Sequence, residues 1–356
     1  MPRSQKVGIL TFHRCINYGS YWQARAIVEG LRQRGHEAVL LDHQSNQVNR
    51  AEWKCALRPT LPTPTLRSDY PLYAAKARKF FEAFASLPLS RPFSIEDPAD
   101  MEPVDVVLVG SDEVWNFYHP WYAGYPLFFG EGLKAKRLVS YAASFGNYQT
   151  KSPLEEKWAS RLRRFTAIGV RDENSRRLIQ ESLNLDPALV LDPCLQFDTV
   201  CRREPIKGRR NQAVVYGHGF PNWYMRSVRA WADARGVHLI SLGYRNEWAD
   251  EQRLTTGPEE FAQAMANARA VATNFFHGCV FALLNAKPFV CAPSEYRSNK
   301  VAALVATVGA HDHLVTQEAP QAHFDRALDE PLSSTIHIRI DELRRRSTDY
   351  LDHAFK

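Results

Sequence analysis

Hydrophobic residues fall into short continuous runs, separated by longer segments whose apolar positions recur at helical spacing. Residues 7–12 (VGILTF) form the first run, followed by the turn chemistry of Asn17-Tyr18-Gly19-Ser20. Across 22–34 the apolar positions Trp22, Ala26, Ile27, Gly30 and Leu31 predict a helix that Gly35 stops. Residues 38–41 make the next run, ending in Asp42. Continuous runs of this length suit parallel strands buried on both faces, and a helix between two of them makes a βαβ unit.

Between residues 50 and 100 the rhythm breaks. Pro59, Pro62, Pro64 and Pro71 punctuate a loop, and an aromatic helix is expected at 73–84. This stretch reads as an insertion lying over the first domain. Strands are expected at 104–109, 138–142, 167–170 and 189–191, with a helix near 154–165. The pattern restarts near 212. Strands at 213–216, 237–242, 270–273 and 289–290 alternate with helices at 224–235, 259–267 and 278–284. No internal repeat is visible. The expectation is an α/β protein of two Rossmann-like domains facing a cleft, residues 1–200 and 201–335. A C-terminal helix, 336–356, should pack back on the first domain.

Composition narrows the function. The 356 residues suit two domains, and 45% hydrophobic with 24% charged residues is ordinary for a globular chain. No apolar run approaches the roughly 20 residues of a membrane span. The N-terminus lacks the apolar core of a signal peptide, so a cytoplasmic protein is expected. Six scattered cysteines, without a CxxC pair or zinc spacing, predict reduced thiols and no metal site. A net charge of +6 fits small anionic substrates, or peripheral contact with the inner membrane face, better than duplex DNA. The basic residues are dispersed, so no nucleic-acid partner is expected. Arg344, Arg345 and Arg346 read as the charged face of a terminal helix.

Open α/β sheets bind ligands beyond the carboxyl ends of their strands. That rule selects His13, Arg14, Asn17 and Gly19 after the first run, Gly110-Ser111-Asp112-Glu113 after the third, Ser144-Phe145-Gly146 after the fourth and Arg171-Asp172-Glu173 after the fifth. In the second half it selects His218 and the turn Asn274-Phe275-Phe276-His277-Gly278. His277 is the sharpest of these. At a strand-to-helix turn it can meet an anion or transfer a proton, or simply cap the helix between domains. Asp112 is either a base or a helix cap. Trp115 and Asn116 either meet a sugar or serve as core and cap. Asn17-Tyr18-Gly19-Ser20 can cradle an anion. GxxxxGK[ST], GxGxxG and GxSxG patterns are absent, which removes the usual sequence support for ATP, dinucleotides and α/β-hydrolase chemistry.

Seven segments in order resemble the polysaccharide pyruvyl transferase family. They are NYGSYWQARAIVEGLRQRGHEAVLLD, VVLVGSDEVWN, SYAASFG, GVRDENS, VLDPCL, EEFAQAMANARAVATNFFHGCVFALLNAKPFV and YRSNKVAALVATVGAHDHLV. The resemblance implies a GT-B-like fold, phosphoenolpyruvate as donor and co-substrate, and no metal or organic cofactor. It implies an acceptor sugar with two neighbouring hydroxyls, free or on a lipid-linked oligosaccharide, which ends as a cyclic ketal. The family's donor histidine falls on His277 and its VRE arginine on Arg171. Asn274, Gly278, Arg297 and Lys300 complete the implied donor side, and Asp112 is assigned to acceptor deprotonation. Asn17, Gly19, Ser111, Glu113, Trp115, Asn116, Ser144 and His218 are assigned to the acceptor or cleft. Two positions depart from the family: Phe275 replaces the arginine of an RxH pattern, and Glu113 replaces the amide of GSDQVWN. Arg171, Arg297 and Lys300 are expected to offset the first. The rival readings are a GT-B glycosyltransferase using a nucleotide sugar and a non-catalytic glycan-binding member.

Overall fold

The computed structural model describes residues 4–59, 62–150, 152–206 and 211–356, apart from the side chains of residues 295–297. The chain forms two compact units. One comprises Met1–Glu52, Ser86–Val200 and Asp341–Lys356; the other comprises Trp53–Ala85 and Cys201–Ile340.

The first unit is built on a six-stranded parallel sheet. Its strands are β1 (Lys6–Leu10), β2 (Glu37–Leu40), β3 (Val104–Val109), β4 (Ala135–Ala143), β5 (Ala167–Val170) and β6 (Ala188–Leu189), in the order β2-β1-β3-β4-β5-β6. In the centre Val7 pairs with Val106 and Ile9 with Leu108, and all four are fully buried, as their unbroken apolar runs require. Between β1 and β2 runs helix α1 (Tyr18–Gln33). It starts earlier than its apolar spacing predicts, because Asn17 caps it and Tyr18-Gly19-Ser20 form its first turn. From β1 the chain steps outward to β2 and then returns to the other side of β1 at β3. The strand order therefore reverses between β1 and β3.

Residues Asp341–Lys356, the end of the last helix, are held to this unit by specific bonds. The Leu191 N–H donates to Ser347 Oγ (2.9 Å), Tyr350 Oη donates to the Ser140 carbonyl (2.5 Å), and Arg344 donates to the Leu195 carbonyl (2.9 Å).

The second unit repeats the design. Strands β7 (Gln212–Tyr216), β8 (His238–Leu242), β9 (Glu251–Arg253), β10 (Val271–Thr273) and β11 (Phe289–Cys291) form a parallel sheet in the order β9-β8-β7-β10-β11. Here the order reverses between β7 and β10. The proline-rich insertion does not lie wholly with the first domain: its Trp53–Ala85 part belongs to this second unit. The reason is the stripe on helix α2 (Tyr70–Ala85), where Tyr73, Lys76, Ala77, Phe80 and Phe84 recur at helical spacing and are buried. Lys76 Nζ donates to the Gly243 carbonyl (3.0 Å), and Arg245 grips Asp69 through two bonds of 2.6 and 2.7 Å. Helix α3 (Asn222–Arg235) follows β7, with Tyr224, Val228, Trp231 and Ala232 in the core. Helix α4 (Phe276–Leu284) follows β10 and is buried along its whole length.

All six cysteines are free thiols. Among the described residues, no helix is long and apolar enough to cross a membrane.

Candidate active site

Each unit places a polar cluster at its reversal of strand order, where open α/β sheets present a crevice.

In the first unit the cluster starts at the turn into α1. Asn17 Oδ1 accepts from the N–H groups of Gly19 (2.8 Å) and Ser20 (3.3 Å). These two donors are thus taken by the chain's own cap, and the turn is not the open anion cradle its sequence suggests. Ser20 Oγ in turn donates to Asp112 Oδ2 (3.0 Å) across the reversal. Asp112 follows Gly110-Ser111. Gly110 has φ +114°, and a Cβ there would stand 2.3 Å from the Tyr141 carbonyl oxygen, so glycine is required for packing against β4. Ser111 is buried, with its carbonyl taken by Thr11 Oγ1 (2.9 Å).

The neighbouring assignments separate here. Trp115 is fully buried in the core, and its indole N–H donates to the Phe128 carbonyl (2.8 Å). It cannot stack on a sugar; its ring is committed to the first unit's core. Asn116 is also committed, donating to Glu113 Oε2 (2.7 Å) and Asn147 Oδ1 (2.9 Å) and accepting from the Tyr118 N–H. Ser144 Oγ donates to Asp172 Oδ2 (2.6 Å), and Asp172 caps the next helix through the Ser175 N–H (2.8 Å). These bonds fix the loops around Asp112. His13 and Arg14 converge on Asp42, at 3.0 and 2.6 Å. Burial opposes the ionised Asp42, yet bonds from Arg14 and His13 outweigh it and hold the carboxyl well below its usual range.

Arg171 is the electrostatic centre of this unit. Its side chain is 2% exposed, with Nη2 donating to Asp112 Oδ1 (3.2 Å) and Nη1 lying 3.5 Å from Asp192 Oδ2. Burial disfavours its charge, but Asp112, Asp192, Glu113 and Asp172 together raise its pKa above the ordinary arginine value. Four carboxylates already balance this guanidinium, so it suits holding Asp112 better than receiving an anionic donor.

In the second unit the loops after β7 and β10 are joined directly. Asn274, buried, donates from Nδ2 to the His218 carbonyl (2.7 Å). Phe275 is the N-cap of α4, and its ring packs against Tyr216 (5.0 Å), His218 (5.2 Å) and Tyr244 (5.5 Å). An apolar aromatic cluster thus occupies the place of the family's arginine. His277 lies in the first turn of α4, where the helix dipole is positive. Gly278, assigned to the donor, has a packing role: a Cβ there would meet Thr273 Oγ1 at 2.0 Å. Lys300 is half-buried on the helix Glu295–Val308. The Arg297 side chain lies outside the described residues. His218, Asn274 and His277 are therefore carried by strand-end loops of the second unit, and Asp112 and Arg171 by strand-end loops of the first.

Several notable groups escaped the sequence reading. Glu52 is buried behind the turn into α1, accepting from the Ile16 N–H (2.6 Å). Burial pushes its carboxyl up to about 7, against the opposing pull of the Ile16 and Cys15 bonds. Nothing local in the sequence marks it. The loop after β8, Tyr244-Arg245-Asn246, was findable by the same strand-end rule that selected His218.

Two parallel Rossmann-like units in one chain define a GT-B-like fold. A structure from Methanocaldococcus jannaschii, a UDP-GlcNAc 2-epimerase in complex with UDP-GlcNAc and UDP, matches with a TM-score of 0.52 at 12% identity, covering 98% of this chain and 99% of that one. A protein described as a UDP-N-acetylglucosamine 2-epimerase from Listeria monocytogenes matches with a TM-score of 0.52 at 12% identity, covering 96% and 91%. At such identities the likeness concerns fold. No curated protein sequence matches significantly. The model of the polysaccharide pyruvyl transferase family matches residues 17–295, and the chain belongs to that transferase family.

Proposed function

We propose that the chain moves a pyruvyl group from phosphoenolpyruvate to two neighbouring hydroxyls of a sugar in an exopolysaccharide or cell-surface glycan, releasing phosphate. The observation that carries this reading is His277 in the first turn of α4, at the strand-order reversal of the second unit. The positive dipole end of such a turn favours a phosphate, and an imidazole moves protons near neutral pH.

In the proposed sequence an acid, His277, protonates the methylene carbon of phosphoenolpyruvate. Cationic character develops at the carbon that carries phosphate. A sugar hydroxyl attacks that carbon as Asp112 takes its proton, phosphate leaves, and the second hydroxyl closes the ketal. Arg171 orients Asp112 through their shared bond. Asn274, Lys300 and Arg297 supply the donor side. The acceptor is free or lipid-linked, and the reaction is assigned to the cytoplasmic side of the membrane.

Purified protein given phosphoenolpyruvate and a panel of glycans tests the reading. Glycan-dependent phosphate release together with a pyruvate ketal on the product supports it. Release of a nucleoside diphosphate from nucleotide sugars, with no phosphate from phosphoenolpyruvate, refutes it. A second reading, glycan binding without transfer, draws on Phe275, whose aromatic setting removes a guanidinium suited to carboxylate or phosphate.

A further inference from the structure

A cavity of about 610 Å³ lies wholly within the second unit, between the proline-rich segment before α2 and the loops after β7 and β8. Its size is that of a small-ligand pocket. Four rings contribute to its walls: Tyr73 from α2, Phe220 after β7, and Tyr244 and Trp248 after β8. Phe220 and Trp248 meet edge to face at 5.6 Å, and Lys76 Nζ sits 4.5 Å from the Tyr244 ring centre, so these rings are held in place.

Polar groups on the walls are equally fixed. Asp69 and Arg245 form a two-pronged pair, and the buried Asn246 donates to the Gly217 carbonyl and Ser241 Oγ, both at 2.9 Å. The indole N–H of Trp248 is buried without a hydrogen-bond partner. Pro59, Pro62 and Pro64 line the other side.

Charge decides the ligand class. Among the described lining residues Arg245 is the one cation, already bound to Asp69, and Glu247 adds a second carboxylate. A phosphate-bearing ligand would find no available positive charge there. A sugar ring offers what the walls complement: an apolar face for aromatic rings and hydroxyls for fixed amide and carboxylate groups.

We propose that this cavity is a saccharide subsite, holding a further sugar residue of the glycan acceptor apart from the donor turn at His277. The assignment rests on the reading of the chain as a glycan-modifying transferase, and Tyr244 links the two places, since its ring also packs on Phe275.

The test is binding to a printed array of mono- to hexasaccharides without phosphoenolpyruvate, followed by calorimetry with the glycan retained best. Retention is expected, with affinity falling about tenfold or more in Trp248→Ala, the size of losing one stacked ring. Thr63→Trp, a change at an exposed lining residue, should block the cavity to the same extent while leaving the core intact. An array on which nothing is retained overturns the proposal. So does retention that neither substitution weakens, or tight UMP or UDP binding that Trp248→Ala abolishes. If transfer from phosphoenolpyruvate fails while glycan binding remains sensitive to both substitutions, the transfer reading falls and the subsite stands.

Discussion

The Asn274 side chain donates to the His218 carbonyl across 2.7 Å, tying the loop after β7 to the loop after β10 where the strand order reverses. The bond is part-buried, with Asn274 itself buried, and it sets the entry of the chain into the turn that carries His277. Asn274→Ala takes the donor from a half-shielded carbonyl, at a cost of about 1 kcal/mol. Urea unfolding should show that loss. A midpoint unchanged from wild type would mean that the two loops hold their positions independently.

Arg171 yields a sharper stability prediction. Removing one member of a buried ionic cluster strands the others, at about 3–5 kcal/mol. Arg171→Met should therefore destabilise by that amount, because Asp112 and Asp192 lose a shared cation. Arg171→Lys should recover only part of it, since an ammonium lacks the planar fork that meets two carboxylates at once. Should Arg171→Met unfold at the wild-type midpoint, the cluster is not a structural one.

These two residues illustrate what the sequence discloses. Parallel strands such as 104–109 are legible because burial on both faces demands an unbroken apolar run. The strand-end rule selected Asp112, Arg171, His218 and His277, and each does follow a strand of its sheet. It could not tell Trp115, a core ring, from a sugar platform, because a tryptophan after a strand fits both roles until its indole N–H is seen on the Phe128 carbonyl. The grouping of α2 with the second unit was hidden for a related reason. Helical spacing shows that a stripe is buried, not against which partner, and the Asp69–Arg245 pair spans 176 residues. Glu52 left no signal, since a lone glutamate in a helix normally faces solvent.

Two buried groups predict opposite pH responses. Glu52 titrates near 7 in the folded chain, against an ordinary 4.5. Because its folded pKa is raised, its favourable contribution is fully present below about pH 4.5 and is lost as pH rises through 7. Relative to Glu52→Gln, the wild type should therefore lose stability over that window, by at most about 1.4 kcal/mol per pH unit. Lys76 is lowered from 10.5 to about 7 by burial, with Cys55 opposing the shift. Its unfolded form binds the proton more tightly, so the wild type should gain stability relative to Lys76→Met between about pH 7 and 10.5. Flat differences across both windows would show that neither group is titrating as buried.

The most direct measurement is phosphate release from phosphoenolpyruvate by wild type and His277→Ala, with and without a glycan acceptor. Release is expected to require the glycan and to yield its pyruvate ketal, falling on the order of 10²-fold in a normally folded His277→Ala. Release at an undiminished rate in that variant, or glycan-dependent release of a nucleoside diphosphate from a nucleotide sugar in its place, would contradict it.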